Sequence, residues 1–284
     1  MPRLLALAGL SLLVACAPSA VRSRDTPAPR AEPLVAPDSL AGPWRFRTLG
    51  RPRSQLVTLS AVLQSRVDSV VREDTLASQA LLEWSLVPDA APARVVGMVR
   101  GFSVIVGSDS TWRPLPELAM PVSFAAAQLA PGLQPTFTMP ADTACHARAA
   151  VVQALRETWV APPARVARGS TWRDSAEYPL CRDGILLRVR SVRQFTVEDA
   201  VARDGQLALR VRRESTSSLS GEGLQFGDSI HVTGAGQATA LLELSLDGAA
   251  ILVGEGSSEL RLQLKGRRRT QDLVQHGALI IRTP

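Results

Sequence analysis

Alternating apolar and polar residues constrain the fold of this chain more than any other feature of its sequence. Between residues 57 and 71 one parity is apolar: Val57, Leu59, Ala61, Leu63, Val67 and Val71. The other parity is polar and includes Thr58, Gln64 and Arg66. Successive side chains of a strand point to opposite faces of a sheet, so the pattern predicts one long, half-buried β-strand.

The same alternation recurs along the rest of the chain. It is clear around Trp84, Leu209 and Leu262, and further strands are predicted at residues 95–106, 185–197, 240–246, 249–254 and 279–281. Asp204-Gly205 and Asp247-Gly248 are typical of tight hairpin turns, which makes consecutive strands antiparallel neighbours. A total of about ten strands or more exceeds what one flat sheet usually holds, so we expect curling or splitting.

One segment departs from this pattern. Within residues 142–159, Ala147, Ala150, Val151, Ala154, Leu155 and Thr158 follow helical spacing, and no Gly or Pro interrupts them. Asp142 or Thr143 is a suitable N-cap, and Pro162-Pro163 prevents continuation. We therefore expect a mainly β fold: one large curved antiparallel sheet, or two sheet halves at 44–141 and 161–284, with one central helix at 142–160.

The amino terminus is typical of an exported protein. Arg3 precedes an apolar stretch from Leu4 to Val14, which is too short to cross a bilayer, since a spanning helix needs about 20 residues. Leu13-Val14-Ala15-Cys16 resembles the lipobox of bacterial lipoproteins at all four positions. That resemblance implies cleavage after residue 15, lipid attachment to Cys16 and, because Ala17 follows, an outer-membrane destination facing the periplasm.

Residues 16–43 are predicted to form a disordered tether. Prolines stand at positions 18, 27, 29, 33, 37 and 43, and the residues between them have little to bury. The formal net charge of +6 does not indicate a nucleic-acid partner, because an exported chain rarely meets one. Membrane phosphate is the more accessible anion.

The two cysteines left after lipidation, Cys145 and Cys181, are expected to form a disulfide in an oxidising compartment. A zinc site that uses His146 together with these two cysteines lacks a fourth ligand at usable spacing. No metal or cofactor is therefore predicted.

The sequence contains no assembled catalytic motif. Gly227-Asp228-Ser229-Ile230 resembles the nucleophile block of GDSL-type esterases, but the partner Asp-x-x-His block is missing near the carboxyl end, so we interpret it as the turn before a strand. Gly221-Glu222-Gly223 and Gly234-Ala235-Gly236 are interpreted as turns and bulges rather than phosphate loops. Nothing brings the histidines 146, 231 and 276 together, and we expect no enzymatic activity.

Two groups of side chains have predicted packing or binding roles. Arg267, Arg268 and Arg269 follow Gly266 at the apparent tip of a hairpin, where a solvated turn and a contact with lipid phosphates are the alternatives. Four tryptophans are expected to pack in the core or at its rim rather than hold a ligand: Trp44, Trp84, Trp112 and Trp172.

The overall plan resembles the half-barrel periplasmic lipoproteins, a class that holds acyl chains on a concave apolar face. The resemblance covers roughly residues 44–284, and the single helix departs from the several helices usual in that class. Two functions follow as expectations. The first is a non-enzymatic envelope lipoprotein with a structural, assembly or partner-binding role. The second is a carrier or binder of lipid or another apolar ligand, since one helix cannot cover all the inward apolar positions.

Overall fold

A computed structural model describes residues 40–47, 52–67, 70–87, 94–106, 111–125, 145–182, 185–225, 228–267 and 270–284. The chain divides after Glu32, and every described residue belongs to the second unit, Pro33–Pro284. The predicted leader, Cys16 and most of the predicted tether therefore lie outside the described residues. No described helix is long and apolar enough to span a membrane.

Antiparallel strands dominate the described part of the chain. The amino-terminal strands are β1 (Trp44–Arg45), β2 (Arg53–Val67), β3 (Val70–Val87), β4 (Arg94–Val106), β5 (Arg113–Pro114) and β6 (Pro121–Ala125). A short 3-10 helix, Pro116–Leu118, precedes β6, and helix α1 (Cys145–Thr158) follows it. The remaining strands are β7 (Arg165–Val166), β8 (Thr171–Arg182), β9 (Ile185–Arg203), β10 (Gln206–Gln225), β11 (Asp228–Ser245), β12 (Ile251–Lys265) and β13 (Thr270–Arg282).

Eleven of these strands form one sheet, in the order β5-β4-β3-β2-β13-β12-β11-β10-β9-β8, with β6 also paired to β4. β2 pairs with β13, opposing Leu59 to Leu279, so the two predicted sheet halves are one continuous sheet. Asp74 of β3 and Ile185 of β9 line the same cavity although five strands separate them, which shows that the sheet curls. Among the described residues the two ends of the sheet, β8 at one end and β4 with β5 and β6 at the other, do not pair with each other. The sheet is therefore not closed.

The predicted alternation is confirmed on the concave face, where Val57, Trp84, Leu209 and Leu262 are buried. Val71 contradicts the prediction of a single strand through residues 57–71, because β2 ends at Val67 and the chain returns as β3. Val71 consequently lies on the outer face and is 53% exposed.

The glycine pairs at 221, 223 and at 234, 236 were expected in turns and bulges, and this expectation is wrong. Both lie inside the uninterrupted ladder between β10 and β11. The reason is packing: a Cβ on Gly234 would stand 2.5 Å from Leu262 Cδ2 and 2.6 Å from Leu219 Cδ1. Glycine is required there because neighbouring leucines fill the space.

Both predicted hairpins are present, one of them shifted. Asp204 and Gly205 join β9 to β10 with φ of 49° and 73°. Between β11 and β12 the positive φ values fall on Gly248 (71°) and Ala249 (52°), one residue later than predicted. Asp247 instead forms an ion pair with Arg47 at 3.6 Å.

Helix α1 lies within the predicted range, and its predicted cap residues, 142 and 143, fall outside the described residues. Val151, Ala154 and Leu155 are buried in the core, as their helical spacing predicted. The Thr158 hydroxyl donates to the carbonyl oxygens of Leu155 at 3.1 Å and Ala154 at 3.2 Å, one turn back along the helix.

Gly97 of β4 makes room for Trp84 in the core. A Cβ at position 97 would stand 2.6 Å from Trp84 Cε3 and Cζ3 and 3.0 Å from a methyl of Val122. The indole has little freedom to move, because its Nε1 donates to Gln55 Oε1 at 3.1 Å and its ring meets Trp159 edge to face.

We predict that Gly97→Ala destabilises the protein by about 1–3 kcal/mol, the usual range for overpacking a dense core. Urea unfolding followed by tryptophan fluorescence measures the change. Gly101→Ala in the same strand is the control, because a Cβ there meets nothing within 4 Å. Equal losses in the two variants would contradict the packing explanation.

Candidate functional site

Along several central strands, the inward side chains of the concave face first pack in a core, then line a polar cavity and then line an apolar cavity. On β2, Val57 belongs to a packed core, Ala61 lines a polar cavity and Leu63 lines an apolar cavity. β13 repeats this order with Ile281 in the core, Gln275 in the polar cavity and Leu273 in the apolar one. Three zones therefore follow one another along the strands.

The first zone, which we call the tryptophan end, surrounds Trp84, Trp159 and Trp172. The Trp84 and Trp159 rings meet edge to face, with centroids 5.9 Å apart and planes inclined at 68°. Trp172 stacks on Phe195 with centroids 5.0 Å apart. Aromatic pairs of this kind add about 0.5–1.5 kcal/mol beyond the area they bury.

The predicted packing role agrees with this arrangement for three of the four tryptophans. Trp44, Trp84 and Trp172 are all buried. Trp112, the residue before β5, is 37% exposed and lies at the surface. The tryptophan end is thus a closed core rather than a binding groove.

A buried charged cluster joins α1 to the sheet beside this core. Arg193 of β9 donates from Nε to Asp174 Oδ1 of β8 at 2.8 Å, and from Nη2 to Asp174 Oδ2. The same guanidinium donates to the carbonyl oxygen of Arg156 and, at 3.0 Å, to that of Trp159. Arg156 Nη2 also donates to Asp174 Oδ1 at 3.2 Å. One carboxylate therefore serves two buried guanidinium groups.

Burial and these contacts shift the pKa values of Asp174, Arg156 and the nearby Tyr178. Burial alone would raise the pKa of Asp174, but the hydrogen bonds and charge of Arg193, with the charge of Arg156, outweigh it and hold the pKa below its usual value. Burial, together with the nearby charge of Arg193, lowers the pKa of Arg156. Burial likewise raises the pKa of Tyr178, with the charge of Glu157 adding to the effect.

The second zone is a polar cavity of about 140 Å³ beside α1. Arg213 lines it and donates to Glu157 Oε2 at 2.5 Å, so helix and sheet are paired here as well. Gln153, Ser258 and Gln275 add polar groups to the wall. Such a cavity suits ordered water or a small polar group, because water needs about 30 Å³ and several hydrogen-bonding partners.

The third zone, the leucine end, contains an apolar cavity of about 170 Å³. Of its ten described lining residues seven are apolar, among them Leu63, Ile185, Leu187, Leu262 and Leu264. The seven apolar residues occupy the inward parity of five strands, so the alternation that forms the sheet also forms the cavity. Its polar members are Ser65, Asp74 and Gln271.

The predicted disulfide would join α1 to β8. Cys145 is the first residue of α1, and Cys181 is the residue before the last of β8. The side chains of both residues lie outside the described part, so the pairing stays a prediction.

Arg267, the described residue of the predicted arginine cluster, lies at the leucine end. β12 ends at Lys265 and β13 begins at Thr270, which places residues 266–269 in the connection between them. Arg267 is exposed, and Arg268 and Arg269 fall outside the described residues. The connection follows directly after Leu264, which lines the apolar cavity.

The histidines do not assemble a site in the described chain. His231 Nδ1 lies 3.0 Å from Glu222 Oε1, and His276 Nδ1 lies 3.9 Å from Glu259 Oε2, each on the outer face. The side chain of His146 is outside the described part. Ser229 was interpreted as part of the turn before a strand, but it is the second residue of β11 itself, where it opposes Leu224 and is exposed. No group of three His, Cys, Asp or Glu among the described residues is arranged to hold a metal.

Sequence reasoning missed the charged residues on the concave face. Arg193 follows the inward parity of Ile185, Leu187 and Val189, and Arg213 follows that of Leu209. A charged residue at an otherwise apolar parity was the available signal, since such residues are rarely buried without a partner.

Comparisons with known proteins add little. No protein-family model and no curated protein matches the chain. Among solved structures, Pseudomonas aeruginosa OccK2 (OpdF) is similar at 10% identity and a TM-score of 0.29, with 84% of this chain and 99% of that chain covered. Pseudomonas aeruginosa OccK8 (OprE) is similar at 8% identity and a TM-score of 0.21, covering 85% and 99%. At such TM-scores neither similarity carries an argument about function.

We predict that Asp174→Asn lowers the free energy of unfolding by about 3–5 kcal/mol at neutral pH, because it leaves two buried guanidinium groups without a counter-charge. The folded-state pKa of Asp174 is depressed, so its stabilising contribution is present above the unfolded value of about 3.9 and is lost as the pH falls through the folded value. Urea unfolding at several pH values measures this difference, which should shrink below about pH 4.

Glu177→Gln is the matched control in the same strand. Glu177 pairs with Arg188 and Arg190 on the outer face at 2.6 and 2.9 Å, where all three side chains are partly exposed. Solvent screening makes such pairs weak, so we expect a much smaller loss. A loss in Glu177→Gln equal to that in Asp174→Asn would contradict the role given to the buried cluster.

Proposed function

We propose that this chain is a lipid-anchored, non-enzymatic protein of the cell envelope that binds the end of an acyl chain, or an apolar ligand of similar size, at the leucine end of its concave face. The observation that carries the proposal is the apolar cavity, in which leucine, isoleucine and valine side chains from β2, β9, β11, β12 and β13 converge. An empty apolar cavity in a dense interior destabilises a protein, because its lining atoms lack van der Waals partners. A bound apolar group supplies those partners.

The size of the cavity limits the ligand. A leucine-lined cavity of about 150 Å³ in another protein stays dry and binds benzene, which makes 170 Å³ sufficient for a few carbons. Pockets for whole drug-sized ligands measure about 300–1,000 Å³. The cavity therefore suits the tip of a chain rather than a complete lipid.

The outer face of the sheet supports a water-exposed setting for this domain. Several cross-strand pairs there are polar or charged, as in Gln64 with Glu73 and Gln263 with Asp272, although single apolar side chains are also exposed on this face. The concave side offers an apolar ligand a continuous apolar lining instead, in the cavity at the leucine end.

The anchor follows from the resemblance of Leu13 to Cys16 to a lipobox, and it remains part of the proposal. Dual acylation of Cys16 holds a protein stably at a membrane, because each buried methylene contributes about 0.8 kcal/mol. Ala17 favours the outer membrane, with the domain in the periplasm.

A structural or partner-binding role is the second candidate. The observation that favours it is the edge of the sheet, since β8 (Thr171–Arg182) pairs only with β9 in the described chain. An unpaired strand edge can add a strand from another envelope protein. The closed tryptophan end is the kind of rigid support such a role needs.

The ligand-binding proposal predicts that Val232→Phe weakens the uptake of a fluorescent fatty-acid probe at least tenfold, because the added ring occupies the apolar cavity. Titration of the chain from Ala17 onward, which keeps every described residue, measures the affinity. Native mass spectrometry with organic extraction, after expression in a periplasm, should identify a co-purified apolar ligand.

Ala238→Leu is the control, because it adds a similar volume in the polar cavity instead. It should leave probe binding unchanged while thermal unfolding shows that both variants are folded. An empty wild-type protein that takes up no probe would rule out the proposal and favour the second candidate.

Cys16→Ser tests the anchor. We expect the wild-type chain, expressed in a bacterium, to fractionate with the membrane and to carry acyl chains on its terminal cysteine in peptide mass spectra. The variant should lose that modification. Unmodified Cys16 in the wild-type protein would contradict lipidation, whatever the concave face binds.

A further inference from the structure

The polar cavity beside α1 contains a buried guanidinium group that is only partly hydrogen-bonded. Arg213 lines this cavity, and its side chain is 3% exposed. It donates from Nη2 to Glu157 Oε2 at 2.5 Å and from Nη1 to the Glu157 carbonyl oxygen at 3.3 Å. Its Nε has no hydrogen-bond partner among the described residues. Buried donors are rarely left in this condition, so the geometry indicates a place for a further acceptor.

Three buried guanidinium groups meet at the carboxyl end of α1. They belong to Arg156, Arg193 and Arg213, whose side chains are only 3–5% exposed. Two carboxylates pair with them, those of Asp174 and Glu157, so one positive charge is in excess. The carboxyl end of a helix carries a partial charge of about −0.5, which offsets part of that excess.

The other acidic side chains of the neighbouring strands do not remove the excess charge. Glu214 and Glu259 have the outward parity, opposite to that of Arg213 and Ser258, which line the cavity. Asp74 has the inward parity but lines the apolar cavity instead. In the part of the chain that the structure describes, the surroundings of Arg213 therefore favour an anion.

The size and the lining of the polar cavity limit that anion. A cavity of about 150 Å³ holds benzene, so 140 Å³ accepts a molecule of about six non-hydrogen atoms. Leu59, Leu76 and Leu279 provide an apolar part of the wall. A phosphate group carries a charge of about −1.5 to −2 at neutral pH, which exceeds the positive charge in excess and is repelled by Glu157. A monoanion with a short apolar part fits better.

The polar cavity is open to solvent on one side. Leu76 of β3 lines it and is 50% exposed. Gln153 of α1 also lines it and is exposed. A small molecule can therefore enter beside these two residues.

Packed leucine side chains lie between this cavity and the apolar one. Along β12, Leu260 and Leu262 stand between Ser258, which lines the polar cavity, and Leu264, which lines the apolar cavity. Both leucines belong to a hydrophobic cluster that also contains Leu219 of β10. The described residues that line one cavity do not line the other. A ligand of the polar cavity is therefore distinct from the apolar ligand proposed above.

We infer that the polar cavity binds a short monocarboxylate, whose carboxylate accepts hydrogen bonds from the Arg213 guanidinium and whose apolar part lies against Leu59, Leu76 and Leu279. The planar guanidinium matches the geometry of a carboxylate, and hydrogen bonds between the two charged groups are about twice as strong as neutral ones. This binding site goes beyond the proposed function and does not depend on it.

The first test is a ligand-observed NMR titration of the chain from Ala17 onward with butyrate, a monocarboxylate of about the required size. We expect a Kd of about 1 mM, as is reasonable for so small a ligand. Butyramide, which has the same shape without the charge, should bind at least tenfold more weakly, and so should inorganic phosphate. Equal affinities for butyrate and butyramide, tighter binding of phosphate, or no saturable butyrate binding would each overturn the inference.

Two substitutions in the buried pair should have opposite effects. Arg213→Gln removes the guanidinium and should weaken butyrate binding at least tenfold. Glu157→Gln removes a like charge from the wall and should strengthen it about fivefold. A pair with a purely structural role would give a loss in both variants, and that result would overturn the inference. Because Arg213→Gln may be less stable, the comparison of butyrate with butyramide in the wild-type chain stands by itself.

Arg190→Gln is the matched control, because Arg190 pairs with Glu177 at 2.9 Å on the outer face. It should leave butyrate binding unchanged, and a loss equal to that of Arg213→Gln would contradict the role of the cavity.

The two cavities can be tested separately with the substitutions that fill them. Ala238→Leu should abolish butyrate binding and Val232→Phe should preserve it, the reverse of their effects on the fatty-acid probe. Displacement of the probe by butyrate would overturn the inference, because it would assign Arg213 to the head group of the apolar ligand. Butyrate binding by a protein that takes up no probe would support the inference and remove only the proposed apolar ligand.

Discussion

Arg193 binds the carboxyl end of α1 to the sheet, beside the second link between Arg213 and Glu157. A helix leaves its last carbonyl groups without partners, and a positive charge is favourable near its carboxyl end. The guanidinium meets both needs, because it donates to the carbonyl oxygens of Arg156 and Trp159. Asp174 then supplies the counter-charge from the neighbouring strand. The packing of Trp159 on Trp84, and hence the tryptophan end, depends on this position of the helix.

The polar cavity and the apolar cavity at the leucine end both follow from the sizes of the inward residues. In the middle of the sheet these are small, as at Gly236, Ala238, Gly256, Ser258 and Gly277. A Cβ on Gly256 would come within 2.5 Å of the Thr239 carbonyl oxygen, so the backbone approaches too closely for larger residues. Beyond this band leucine and isoleucine return, and the curl of the sheet leaves the apolar cavity among them.

The local sequence pattern predicted strands and the helix well, but it predicted poorly where each of them begins and ends. Alternation identified the inward faces of β2, β9 and β10, because one parity of each meets the core. It could not show that Val71 belongs to a returning strand, since both strands have similar composition. The glycines at 221 and 234 were misinterpreted for a related reason: the leucine side chains and carbonyl oxygens that leave no room for a Cβ there belong to the neighbouring strands.

The sequence by itself determined that the protein is mainly β, which face of β2, β9 and β10 is buried and where helix α1 lies, because these properties repeat over neighbouring residues. Only the tertiary structure decided that β2 joins β13 in one sheet, that Arg193 meets Asp174 and α1, and that the leucine end contains a cavity. Such features depend on residues far apart in the chain, as when Gln55 donates to the Ile251 carbonyl oxygen across 196 positions. No local pattern encodes which distant residues will meet.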